Sequence, residues 1–390
     1  MNPPPAPPRL DTDALIDDRR TRIIVCCGSG GVGKTTTAAA LGLRAAERGR
    51  HVVVLTVDPA RRLAQSMGLT YLDNIPRPVE ADLSSGGSLH AMMLDMKRTF
   101  DEIVEAHADP DRAAQILANP FYQSLSSSFA GTQEYMAMEK LGQLHRTDEW
   151  DLIVVDTPPS RSALDFLDAP QRLGRFLDGR LIRLLTAPAS SGRAYMKVLN
   201  AGFSLVTGTL TKVLGAQVLK DMQTFVTAFD TMFGGFRERA ESTYRLLQTP
   251  GTAFIVLAAP EPDALREASY FVERLAGERM PLAGLILNRV HVPAAPRLSA
   301  ARSLAAAETL ENGNGTGAAE PPRYTLAAGV LRLHAERMQL AARERRVAEH
   351  FTAAHPTVPV AEVTAQPEDV HDLEGLRTIG SSLASEPGLS

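Results

Sequence analysis

Seven short stretches of the chain are runs of mostly apolar residues. They are 22–27 (RIIVCC), 51–58 (HVVVLTVD), 89–95 (LHAMMLD), 152–156 (LIVVD), 252–259 (TAFIVLAA), 282–289 (LAGLILNR) and 357–363 (TVPVAEV). Their apolar residues are mostly continuous rather than alternating, and helical patterns lie between them. Strands buried on both faces read this way, so the spacing predicts an α/β fold: a doubly wound, mostly parallel sheet with helices on either side. One of those helices is expected over 38–48, Ala- and Leu-rich and stopped by Gly49.

Two stretches break the rhythm. Residues 165–248 show no strand pattern but carry apolar residues at Leu210, Leu214, Val218, Met222, Phe225, Phe229, Met232 and Phe236, steps of three or four that fall on one helical stripe. Val213 and Leu219 lie off that stripe, so the segregation is imperfect. Residues 293–322, rich in Ala, Pro, Gly and Asn, read as a mobile loop ahead of a helix near 326–350. The expected organisation is a flexible arm (1–20, with five prolines in its first eight residues), a first core part (21–164), a helical subdomain (165–248), a second core part (249–380) and a flexible tail (381–390).

Composition narrows the function classes. A net charge of -4 gives no global pull towards nucleic acid or anionic lipid. No apolar run approaches the roughly 20 residues that cross a bilayer, so stable membrane insertion is not expected. The N-terminus has no apolar h-region, and the chain reads as cytoplasmic. Cys26 and Cys27 are the two cysteines; adjacent in a buried-type strand, they suit neither a disulfide framework nor a CxxC metal site. Arginine outnumbers lysine 35 to 6, and Lys34 is the one lysine among the first 96 residues. In so Arg-rich a chain, each retained lysine raises the question of what guanidinium could not do there.

Gly28-Ser29-Gly30-Gly31-Val32-Gly33-Lys34-Thr35 answers it for Lys34, because it satisfies GxxxxGK[ST] between a predicted strand and a predicted helix. Glycines let backbone N–H groups turn inward onto phosphate oxygens, Lys34 brings a compact charge, and the Thr35 hydroxyl can ligate Mg²⁺. The helix N-terminus faces the same anion. A carboxylate near the metal is also required. Asp156, ending an apolar strand, can supply it, or can simply cap the next helix. Asp58, ending another strand before Pro59, can orient an attacking water or join the metal shell, or can serve only as a turn residue.

Gly28 to Thr36 resembles the deviant P-loop class of partitioning and division-site ATPases and the nitrogenase iron protein. Within that class the chain is similar to the arsenite-efflux (ArsA) and tail-anchored-protein-targeting (Get-pathway) ATPase family. Thr56-Val-Asp58-Pro-Ala60 is similar to that family's switch I, and Asp156-Thr-Pro-Pro-Ser160 with Ala163-Leu164 to its switch II. Gly131-Thr-Gln-Glu134 resembles the segment before the strand that ends in Asp156. Pro260-Glu261, Glu267, Asn288 and Gln366-Pro367 look like the elements around the adenine. The resemblance implies ATP and Mg²⁺ as ligands and ATP hydrolysis as the activity. It further implies Asp58 as the water-activating carboxylate, Asn288 as a reader of the adenine edge, and a dimer whose helical subdomain moves when ATP closes the interface.

The departures matter as much. The deviant P-loop carries a lysine directly after its first glycine, reaching the partner's phosphates; here that residue is Ser29. Comparable cations supplied in trans are worth on the order of 10³–10⁵ in rate. One reading is a heterodimer with a paralogue that supplies the cation; a second is a catalytically weak regulatory subunit; a third is an in-chain substitute, Arg61 or Arg62. Arg61 and Ser162 stand where the switches usually have histidine, and the intersubunit zinc cysteines and arsenite thiols have no counterpart. Arsenite prefers soft thiolates, so its transport is disfavoured. The stripe 210–236 suits a groove for a hydrophobic client helix, or ordinary packing within its subdomain. A partitioning-type membrane or DNA switch ranks last, because residues 380–390 are neither basic nor amphipathic.

Overall fold

A computed structural model describes residues 7–58, 62–120, 122–123, 126, 132–158, 238–312 and 323–384. Its strands are β1 (Ile23–Gly28), β2 (His51–Thr56), β3 (Arg77–Pro78), β4 (Ser88–Met93), β5 (Leu152–Asp156), β6 (Thr252–Ala258), β7 (Leu282–Val290) and β8 (Val360–Thr364). They form one sheet in the order β3-β4-β2-β5-β1-β6-β7-β8. All neighbours are parallel except the short β3, which runs against β4. The expected parallel α/β architecture is therefore present. Each of the seven apolar runs forms a strand, and among the described strands only the two-residue edge strand β3, containing Pro78, falls outside the predicted set.

Burial explains the pattern. Every residue of β1, β5 and β6 is buried, as apolar continuity requires of strands covered on both faces. At the edge, β8 alternates buried Ala361 and Val363 with exposed Glu362 and Thr364. On one face, helix Lys34–Glu47 packs across β1, β5 and β2 and against helix Leu373–Ala384. Helix Pro262–Gly277 lies over β6, β1 and β7, on the face opposite because parallel crossovers are right-handed. From β1 the chain crosses towards β2, whereas from β6 it crosses towards β7. Adjacent strands whose connections diverge open a crevice at their C-terminal ends, where α/β sheets take ligands.

Three segments differ from the sequence-based outline. Within the expected arm, helix Thr12–Asp17 starts on Asp11, whose Oδ1 accepts from Ala14 N at 2.9 Å. Residues 8–10 lie along β8, with Leu10 N donating to Val360 O and Val360 N to Pro8 O. The buried Thr12 hydroxyl donates to Leu383 O, so the start of the chain and the expected tail, which is helical through Ala384, hold each other. Arg50, 1 % exposed, bonds the carbonyls of Ile16, Asp18, Thr21 and Asp151, fastening that segment to the ends of β1 and β5.

Residues 300–312 of the expected loop form a helix, Ala300–Asn312, packed against the 32-residue helix Arg323–Ala354. Ser299 supports its first turn by accepting from Arg302 N. The expected subdomain is described only from residue 238, helical through 247. The Leu210–Phe236 stripe, Gly131, Pro59 to Arg61, and Pro159 to Leu164 with Ser160 and Ser162, lie outside the described residues. No helix among the described residues is long and apolar enough to cross a membrane.

Candidate active site

The loop 28–36 leaves β1 at the centre of the sheet and enters helix Lys34–Glu47 at the diverging crevice. Two of its glycines are dictated by local geometry. A Cβ on Gly28 would overlap the Leu257 carbonyl of β6, so only glycine lets the strands stay paired to the loop's root. Gly33 precedes the helix with φ +90, left-handed backbone that side chains rarely adopt, and a Cβ there would overlap the Asn288 amide. Asn288, buried at the end of β7, donates Nδ2 to Val32 O at 2.8 Å. The residue implied as an adenine reader is thus bonded directly to the phosphate loop.

Lys34 is 5 % exposed, and its Nζ donates to Gly28 O (3.0 Å) and Ser29 O (2.7 Å), two carbonyls of its own loop. Burial lowers its pKa, opposed by the negative charge of Asp156. Gly30 and Gly31 are exposed, the latter at φ +77, and Ser29 and Thr36 are half-buried.

Asp156 is fully buried at the end of β5, between β1 and β2. Its Oδ2 accepts from the hydroxyls of Thr35 (2.8 Å) and Thr56 (2.9 Å), joining the phosphate loop to the end of β2. Its Oδ1 is buried with no hydrogen-bond partner. Burial raises its pKa to about 6, against the lowering effect of the two hydroxyls and Lys34. Thr56 also accepts from Asp58 N at 3.2 Å, setting the half-buried Asp58 just beyond the strand. Beyond Asp156, Thr157 donates both its N–H (3.3 Å) and its hydroxyl (2.8 Å) to Cys26 O.

Gly28 to Thr35, Asp58, Asp156 and Asn288 therefore converge on one end of the central strands. Gln366 and Pro367 follow β8 further out along the same edge, Gln366 donating to Thr364 O and Pro367 exposed. Arg62 is exposed on helix Arg62–Ser66. Cys26 and Cys27 are fully buried, and burial raises both thiol pKa values, Cys27 to about 12; neither presents a thiolate to soft metals.

In the sequence Thr56 stands out only as part of a switch-like string, with no role of its own. Its signal is a polar residue ending an otherwise apolar strand. No group of three His, Cys, Asp or Glu side chains placed to hold a metal ion occurs among the described residues. Mg²⁺ needs no such cage, because it retains water and takes phosphate oxygens. A buried carboxylate oxygen without a partner, beside a threonine hydroxyl, is hard-oxygen chemistry that fits it.

Comparison with known proteins agrees with this geometry. The sequence pattern of the anion-transporting ATPase (ArsA) family matches residues 21–306. The chain is 24 % identical to the ATPase GET3 of Malassezia globosa over 287 residues, covering 74 % of this chain and 77 % of that protein. It is likewise 24 % identical to the ATPase GET3 of Chaetomium globosum, covering 72 % and 76 %. With a family match over well over half its length and a phosphate loop seated at the sheet's crevice, the chain belongs to the ArsA family of nucleotide-binding P-loop ATPases.

Proposed function

We propose that the protein hydrolyses ATP in a Mg²⁺-dependent reaction and uses its nucleotide state to rearrange the segments after β2 and β5. It acts in the cytoplasm as a dimer that handles a client or partner. The observation that carries this reading is the single carboxylate oxygen of Asp156 bonded by Thr35 and Thr56. In this reading a change at the phosphate loop reaches the ends of both β2 and β5 through that oxygen.

In this reading the backbone N–H groups of residues 30–35 receive phosphate oxygens, and Lys34 exchanges its loop carbonyls for them. Thr35 and Asp156 would hold Mg²⁺, the latter directly or through water. When bound, the metal supplies neutralisation of phosphate charge. Asp58 orients the attacking water, and Asn288, with Gln366 and Pro367 further out, borders the base.

Phosphate release from ATP by the full chain tests the catalytic core. Activity should require Mg²⁺ and fall by about 100-fold or more in Asp58→Asn, with ATP binding kept. Unchanged turnover in that variant would remove Asp58 from the chemistry.

Ser29 favours a heterodimer, in which a paralogue bearing lysine at that position supplies the cation. Turnover rising when such a paralogue is added supports this, whereas self-dimers with full turnover refute it. A catalytically weak regulatory subunit rests on the same residue. It is favoured if the chain binds ATP yet stays slow with every P-loop partner that co-purifies with it. The stripe 210–236 supports a hydrophobic helix as client.

A further inference from the structure

The end of β7 is built on a backbone conformation that needs holding. Arg289 has φ +63, a left-handed value unusual for a non-glycine residue, and the pairing of β7 with β8 slips between Asn288 and Val290. Such conformations persist where the surroundings over-determine them. On the upstream side, Asn288 Oδ1 accepts from Arg289 N at 3.0 Å, while its Nδ2 holds Val32 O. Alongside, Ala365 N donates to Val290 O.

The downstream clamp comes from outside the strand. Glu344 Oε2 accepts from His291 N at 2.9 Å, and His291 Nδ1 lies 2.7 Å from Oε1, a spacing at which the ring donates to the carboxylate. Glu344 is 8 % exposed and sits in the long helix Arg323–Ala354. Burying a carboxylate is unfavourable unless its oxygens are bonded, and here both are taken up by one residue of the turn. That residue is three positions from the side chain that supports the phosphate loop.

We propose that Glu344 and His291 are positioning residues for the nucleotide site: they fix the turn after β7, and so set Asn288 against Val32 and Gly33. This rests on reading loop 28–36 as the ATP site. The couple acts through Asn288 and not by touching the nucleotide. Helix Arg323–Ala354 thereby has a rigid connection to the phosphate loop, made by a side-chain carboxylate rather than by the sheet.

Calorimetric titration of the full chain with ADP and with MgATP tests it through a double-mutant cycle. Glu344→Ala should weaken nucleotide binding about ten-fold in the wild-type background. In an Asn288→Ala background it should weaken binding by no more than about two-fold, because its route of action is already gone. A merely structural role would give the same loss in both backgrounds, and that result, or no loss at all, overturns the proposal. If Glu344→Ala does not fold by circular dichroism, His291→Ala decides. It keeps the backbone bond to Glu344 and should weaken binding about three-fold in the wild-type background, with no further loss beside Asn288→Ala. Wild-type protein that takes up neither ADP nor ATP would sink the parent reading, and this inference with it. Wild-type uptake with unaffected variants sinks this inference alone.

Discussion

Lys34 and Arg50 are both buried cations, set at opposite ends of the same sheet, and they are used in opposite ways. Lys34, at the C-terminal end, points a single ammonium at two carbonyls of its own glycine loop. Arg50, at the N-terminal end, spreads a planar fork over four carbonyls from three parts of the chain. Burial lowers the pKa of each. A fork matched to fixed acceptors is a structural staple, whereas a compact charge on a flexible stem can be re-aimed. In a chain with 35 arginines and 6 lysines, Lys34 stands where the proposed nucleotide binding calls for re-aiming.

The comparison is sharpest where the two losses should separate. Lys34→Ala should reduce ATP affinity by about 100-fold or more in calorimetry, since charge-assisted contacts to phosphate go with it. Its melting temperature should hold or rise, because an unfavourable burial is relieved. Arg50→Met should do the reverse. It leaves several buried carbonyls unpaired, so chemical denaturation should show a loss of about 3 kcal/mol. Nucleotide affinity of the folded fraction should stay within about two-fold. A Lys34 variant that melts early, or an Arg50 variant that binds poorly, would erase the distinction.

The smallest effect lies at the periphery, where Asp13 on helix Thr12–Asp17 accepts from Arg44 at 2.6 Å. The hydrogen bond from Arg44 holds the Asp13 pKa below its ordinary 3.8, against a smaller upward effect of burial. A lowered folded-state value means stability that is fully present above the unfolded value and lost as pH falls through the folded one. Asp13→Asn should therefore cost about 0.5–1 kcal/mol at neutral pH and flatten the loss of stability below about pH 4, followed by denaturation across pH. An unchanged acid limb would show that the pair contributes nothing.

Legibility in the sequence depends on where the physics is local. The interior strands declare themselves because β1, β5 and β6 are buried throughout, and burial on both faces leaves no polar positions to blur the run. The phosphate loop is legible because its demands are local: Gly28 lies against the Leu257 carbonyl, and Gly33 takes left-handed backbone ahead of the helix. Elements held by distant partners are not. Helix Thr12–Asp17 is short and depends on Arg44, Arg48 and the end of the last helix, none of which its own six residues announce. Helix Ala300–Asn312 is hidden by the prolines before it and the Asn-Gly run after it, although its Ala-rich interior is strongly helix-forming. Thr56, Arg50 and Glu344 act across 100 residues, up to 101 and 53 residues of sequence respectively, so no spacing rule could reveal them.

Thr157 grips the Cys26 carbonyl with two donors, at the seam between β1 and the chain leaving β5. Pro158 follows at once, and its ring fixes one of the two backbone angles just beyond the clamp. The strand end that carries Asp156 is thereby anchored to β1 by its next residue as well as to the two threonines by its own carboxylate. The lone carboxylate oxygen is held in place by neighbours that do not themselves bond it.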